Sequence, residues 1–272
     1  MNILISVPEL QSRLNDPVLK ILHVHMAPVG SAPGASGPGP QEFIPGAVVF
    51  DIEAMSDETS PLPHTALPME EFARRVRTLG IDSGNEIVVY DEKGIYSSPR
   101  ARALFRAAGH ERVRVLDGGL PEWKRMGNGT VRIPASVVRS GDFFPRPAEF
   151  RLLDRAEVAR AIDQKNAVIL DARSEERFKG VVDEPRAGLR RGHIPTACSM
   201  PFTKVLDGAL LKSKSGLEML FGDLVKPDLE VIVYCGSGVT ACIVALGLEA
   251  AGYGKVSVYD GSWSEWGLQP PG

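Results

Sequence analysis

"VIVYCGSGVTACIVALGLEAAG" (231–252) places one cysteine between a short β-branched apolar run and a helix-like stretch. A continuous apolar run without alternation fits a strand buried on both faces of a parallel sheet. The Gly-Ser-Gly that follows fits a tight turn, with a helix starting near Val239 or Thr240. Taken alone, Cys235 is a core thiol, a metal ligand or a nucleophile.

Working outward, the stretch has a copy. "EVIVYC" (230–235) matches "EIVVYD" (86–91), and "LEAAGYGKVSVYDGSWSEWG" (248–267) matches "FRAAGHERVRVLDGGLPEWKRMG" (105–127). "HIPTA" (193–197) matches "FIPGA" (43–47). A nearly constant offset implies two domains of one fold, about half the chain each. The stretch "NGTVRIPASVVRSGDFFPRPAEF" (128–150) is rich in Gly and Pro, and the join is expected near 128–148. The expected division is a domain over 1–135, a linker over 136–148 and a second domain over 149–272.

Within each half, strand-like runs such as "VRVL", "VSVY" and "AVIL" alternate with helical segments. Ser6 with Glu9 and Asp154 with Glu157 have the spacing of capping boxes at helix starts. The pattern predicts an α/β fold, each domain a mainly parallel sheet covered by helices. The stretch 27–40, "APVGSAPGASGPGP", is a loop by composition.

Composition excludes several classes of function. The 272 residues carry a net charge of −3, without the basic footprint of a nucleic-acid binder. No run approaches the ~20 apolar residues that span a bilayer, and the N-terminus lacks a basic signal-peptide region. Three cysteines without a C-x-x-C fit a reducing compartment. A cytoplasmic protein with no nucleic-acid or membrane partner is expected.

A cysteine at the carboxyl end of a parallel strand, facing a helix N-terminus, lies where open α/β sheets bind ligands. Unpaired amides there stabilise a thiolate and increase the nucleophile present at neutral pH. The glycines let several N–H groups converge on one point, a cradle for a sulfur anion or the outer sulfur of a persulfide. These features favour the nucleophile over an inert thiol. The repeat partner of Cys235 is Asp91, so only the C-terminal copy can do thiol chemistry. Cys242 and Cys198 are expected in the core. A phosphatase is excluded, because C-x5-R would require arginine where Ala241 stands.

The two-copy chain, "CGSGVTA", "DGSWSEWG" and "EPRAGLRRGHIP" resemble the tandem rhodanese-domain sulfurtransferases, nearest to their 3-mercaptopyruvate-using branch. The resemblance covers nearly the full chain and weakens over 20–42. It implies two rhodanese-like domains, the first catalytically inactive, and sulfur transfer through a Cys235 persulfide to a thiol or cyanide. It implies a small-molecule sulfur donor and a thiol acceptor such as thioredoxin or a small thiol, with no cofactor and no metal. Thiosulfate-using relatives carry basic residues after the cysteine; here Gly236 and Ser237 are neutral, which favours a donor with one carboxylate.

By the same resemblance, Arg177 and Arg186 match substrate arginines and join Gly236, Gly238, Val239 and Thr240 in binding the donor. Arg190 and Arg191 match less closely, and Arg173 is expected to hold the fold through an ion pair. A proton-transfer set across the domains is implied, with Ser237, His64 and Glu53 as its serine, histidine and acid. Glu53 stands where animal members commonly have Asp, with Asp51 and Asp57 as nearby substitutes. His23 and His25 stand where relatives usually have an Asp and are expected to be structural. The alternatives are a thiosulfate sulfurtransferase and a non-enzymatic persulfide carrier. A carrier needs the cysteine but not the arginine pair.

Overall fold

The computed structural model describes residues 2–28, 39–226 and 229–268. These fall into two compact units. The first comprises residues 1–57, 66–149 and 208–211, the second 58–65, 150–207 and 212–272.

The first unit contains strands β1 (Leu4–Ile5), β2 (Leu19–His25), β3 (Ala47–Asp51), β4 (Glu86–Tyr90) and β5 (Val113–Leu116). Its helices are α1 (Val7–Ser12), α2 (Met69–Thr78), α3 (Ser98–Ala107) and α4 (Gly119–Arg125). The sheet order is β1-β5-β4-β2-β3, and the pairs are parallel. In β4, Ile87, Val88, Val89 and Tyr90 are all buried, as a strand covered on both faces requires.

The second unit repeats this plan with β6 (Arg151–Leu153), β7 (Ala167–Asp171) and β8 (Cys198–Ser199), followed by a short β9 (Leu206–Asp207). The two-residue β10 (Leu210–Leu211) groups with the first unit. Strands β11 (Glu230–Tyr234) and β12 (Val256–Tyr259) complete a sheet of order β6-β12-β11-β7-β8, again parallel. The helices are α5 (Arg155–Gln164), α6 (Glu175–Lys179), α7 (Lys214–Gly222), α8 (Ala241–Ala250) and α9 (Ser262–Trp266). Strand for strand, the two sheets have the same order.

The repeat extends to side chains. The Tyr90 hydroxyl accepts from the Ile44 amide at 2.9 Å, and the Tyr234 hydroxyl from the Ile194 amide at 3.1 Å. Each tyrosine ties the central strand to its copy of the "IP" turn, and burial raises both phenols above their ordinary range.

Some expectations are modified. Asp154 and Glu157 form the full capping box, at 2.7 and 2.9 Å. Ser6 accepts from the Glu9 amide, but the Glu9 carboxylate pairs with Arg114 at 2.6 Å, because an ion pair competes for it. Residues 136–148 pack as part of the first unit. Gly141 and Phe143 donate to the carbonyls of Arg77 and Ile81, and the Phe143 ring is buried beside Phe72 and Phe105. Cys198 is half-buried on the edge strand β8, so it is not a core residue; Cys242 is buried. Most of the 27–40 stretch lies outside the described residues. Among the described residues, no helix is long and apolar enough to cross a membrane.

His23 and His25 are buried on β2. The His23 ring lies 5.3 Å from that of Phe43 and 4.7 Å from that of Tyr90. Burial pushes its pKa from 6.5 down to about 4, partly opposed by the charge of Asp91. The folded state therefore keeps His23 neutral while the unfolded chain takes up a proton below pH 6.5, so stability rises with pH across this window. We expect wild-type protein to lose about 2 kcal/mol between pH 8 and pH 5 from this group. His23→Leu should remove that part of the slope. Denaturant unfolding of both proteins at the two pH values checks it; equal slopes would refute the assignment.

Candidate active site

Strand β11 ends at Tyr234, and the loop from Cys235 to Thr240 leads into α8. Cys235 is 2% exposed. Its amide donates to Ser262 Oγ at 3.1 Å, and its carbonyl accepts from the Trp263 amide at 3.0 Å. The Gly236 carbonyl accepts from both the amide and the hydroxyl of Ser264, at 2.8 and 2.6 Å. Gly238 turns the chain at φ +76°, a left-handed conformation that favours glycine, and its carbonyl accepts from Cys242 Sγ at 3.2 Å. Among the described residues, none accepts a hydrogen bond from the amides of residues 236–240. Backbone N–H groups gathered in such a turn can serve an anion.

The equivalent loop of the first unit is filled. The Asp91 carboxylate accepts from the amides of Lys93, Tyr96, Ser97 and Ser98 at 2.8–3.0 Å, and from the Ser98 hydroxyl at 2.7 Å. Its own side chain occupies the nest ahead of α3.

Two arginines reach the Cys235 loop. A β-carbon on Gly236 would fall 3.1 Å from Arg177 Nη2 and 3.9 Å from Arg186 Nη1. Glycine here therefore admits the guanidinium groups to the backbone. Arg177 sits on α6, whose N-cap Ser174 accepts from the Arg177 amide. Its side chain is held by Glu184, with Nε 3.1 Å from Oε1 and Nη2 bonded to Oε2.

Glu184 also accepts from Arg173 Nη1 at 2.7 Å. Arg173 is fully buried and grips Asp171 with Nε and Nη2. Its guanidinium lies over Trp263, 4.4 Å from the ring centre. The chain Asp171–Arg173–Glu184–Arg177 carries the order of the β7 end out to the loop. The sequence alone assigns Glu184 no role; its one signal is a carboxylate two residues before Arg186. Arg190 and Arg191 are exposed and bond to the Trp266 carbonyl and to Asp183, so they serve local structure.

His64 belongs to the second unit with Ser237. Its Nδ1 lies 2.9 Å from Ser237 Oγ, and both residues are buried. His64 has φ +59°, a left-handed conformation uncommon for any residue but glycine and more accessible to His than to most. Such backbone tends to persist at functional sites. The hydroxyl–imidazole pair can pass a proton. Glu53 lies in the turn after β3, which Asp51 ends; these two and Asp57 belong to the first unit. The Asp51 carboxylate caps that turn by accepting from the Glu53 amide at 2.8 Å.

Comparison with known proteins agrees with this architecture. The family model described as Rhodanese-like domain matches residues 39–126 and 154–269. The chain is 41% identical over 269 residues to the 3-mercaptopyruvate sulfurtransferase of Escherichia coli strain K12, covering 96% of this chain and 93% of the relative. It is 37% identical over 293 residues to the thiosulfate/3-mercaptopyruvate sulfurtransferase 1, mitochondrial, of Arabidopsis thaliana, covering 98% and 76%. The crystal structure of SseA from Escherichia coli superposes with a TM-score of 0.85 at 37% identity, covering 97% of this chain and all of that one. The chain belongs to the rhodanese family and contains two rhodanese-like domains.

Proposed function

We propose that the protein is a sulfurtransferase that takes sulfur from 3-mercaptopyruvate onto Cys235 and passes it to a thiol or cyanide. The observation that carries this reading is the convergence of Arg177 and Arg186 on Gly236, beside a cysteine whose loop amides have no acceptor among the described residues. Planar guanidinium groups bind a carboxylate with paired hydrogen bonds. The loop adds no further positive charge, which suits a donor with one carboxylate rather than the dianion thiosulfate.

In the first half-reaction the Cys235 thiolate attacks the donor sulfur. An S–S bond forms, the C–S bond breaks, and its electron pair leaves on carbon as the enolate of pyruvate. The proton from the donor thiol returns to that carbon, and Ser237 with His64 is the relay we assign to it. Glu53 is the acid assigned to this set. The loop amides, from Gly236 and Ser237 to Gly238, Val239 and Thr240, hold the persulfide anion. In the second half-reaction an acceptor thiolate or cyanide attacks the outer sulfur and releases the Cys235 thiolate. Two half-reactions through a covalent intermediate give ping-pong kinetics.

The first unit is assigned no catalysis, because Asp91 replaces the nucleophile and fills its own nest. A reducing, cytoplasmic setting with a small thiol or thioredoxin as acceptor suits three free cysteines. The test is pyruvate release from 3-mercaptopyruvate, run beside thiosulfate with cyanide as acceptor. We expect kcat/KM for 3-mercaptopyruvate to exceed that for thiosulfate by about a hundredfold, roughly the value of one charge-assisted contact of 2–3 kcal/mol. Faster thiosulfate turnover would overturn the donor assignment.

A further inference from the structure

We propose that Ser264, aided by Ser262, is a positioning residue that fixes the peptide orientation of the Cys235 loop and so builds the anion cradle. The inference rests on Cys235 being the sulfur-carrying nucleophile.

A trans peptide points its carbonyl and its N–H in opposite directions. The Cys235 carbonyl is held by the Trp263 amide, so the Gly236 N–H points away from α9. The Gly236 carbonyl is held twice by Ser264, so the Ser237 N–H also points away from α9. Ser262 Oγ accepts from the Cys235 amide and donates to the Tyr259 carbonyl at 2.8 Å, tying the loop to the end of β12. Ser262 and Ser264 are buried, and Ser262 holds φ +49°. The short helix α9 thus works as a clamp on two consecutive peptides.

The first unit provides an internal comparison. Its Leu120 amide donates to the Asp91 carbonyl at 3.0 Å, the counterpart of the Trp263–Cys235 bond. The counterparts of Ser262 and Ser264 are Gly119 and Pro121. Glycine has no hydroxyl, and proline offers neither hydroxyl nor amide hydrogen. The copy without a cysteine therefore lacks both serine clamps, while keeping the backbone bond that the fold needs. In the first unit the Asp91 carboxylate itself accepts from the loop amides and so aims them; the second unit has no such built-in acceptor, and there the serines do the aiming.

Without the Ser264 hydroxyl, the peptide after Gly236 is freer to turn, because Gly236 tolerates a wide range of backbone angles. A turned peptide would present a carbonyl oxygen to the sulfur anion in place of an N–H. The experiment uses the full chain and compares wild type, Ser264→Ala, Ser264→Thr and Cys235→Ser. It reads steady-state turnover of 3-mercaptopyruvate and the pH profile of Cys235 alkylation by iodoacetamide, with thermal unfolding as a check on folding. Removing one oriented donor from an oxyanion site costs about 10²–10³ in rate, and an indirect loss of orientation should cost less, about ten- to a hundredfold. We expect Ser264→Ala to lower kcat by that factor with little change in KM and an unchanged melting midpoint. Its alkylation profile should move to higher pH, and Ser264→Thr should restore most of both. If Ser264→Ala keeps wild-type kcat and alkylation profile, or if Ser264→Thr is as impaired as Ser264→Ala, the positioning role is refuted. Turnover that survives in Cys235→Ser would instead remove the nucleophile on which the inference rests.

Discussion

Cys235→Ser is expected to abolish turnover of 3-mercaptopyruvate and of thiosulfate, with a loss of at least about 10⁴-fold in kcat, the scale seen when a covalent nucleophile is removed. An oxygen nucleophile cannot form the S–S bond, so neither half-reaction has an intermediate. The substitution is nearly isosteric, and the bonds that fix residue 235 are made by its backbone, to Ser262 and Trp263. The loop should therefore survive it. Mass spectrometry of wild-type protein after 3-mercaptopyruvate without acceptor should show one added sulfur on the peptide containing Cys235 and none on those containing Cys198 or Cys242. Cys242 is committed to the Gly238 carbonyl inside α8. An added sulfur on Cys198, or turnover retained by Cys235→Ser, would move the chemistry to another residue.

The parts of this site that were legible in the sequence are those fixed by local backbone rules. The buried run 231–234, the glycines after Cys235 and the copy at 86–91 gave the strand, the turn and the repeat, because strand burial and turn geometry depend on a few adjacent residues. The identical strand orders of the two sheets follow from that repeat. What was not legible depends on contacts distant in sequence. Nothing local indicates that residues 58–65 group with the second unit, which is what sets His64 against Ser237. The Gly- and Pro-rich stretch after residue 128 has linker composition, yet Phe143 finds an aromatic pocket in the first unit. Resemblance, and no local spacing rule, points to Arg177 and Arg186. Their approach to Gly236, and the Glu184 that restrains Arg177, are properties of the folded loop. The serine clamp was visible as a difference between the copies, but its meaning required knowing where the Gly236 carbonyl points.

Asp171→Ala is expected to destabilise the second unit by about 3–5 kcal/mol, because it leaves a buried guanidinium short of its main partner. Arg173 and Asp171 side chains are fully buried, and the pair is joined by several hydrogen bonds. Glu184 would remain as a carboxylate partner for Arg173, which places the loss toward the lower end of that range. Arg173 would then draw more strongly on Glu184, the same carboxylate that holds Arg177. The stability loss should therefore come with a higher KM for 3-mercaptopyruvate. Replacing both residues, as Asp171→Asn with Arg173→Met, should cost less stability than Asp171→Ala alone, since no buried charge is then left unpaired. Denaturant unfolding of wild type and the two variants, with KM measured on each, separates the two effects. If the single variant unfolds at the wild-type midpoint, Arg173 finds solvent or another partner on its own. If stability falls while KM is unchanged, Glu184 holds Arg177 independently of the buried pair, and the chain from the end of β7 to the loop is broken at Glu184.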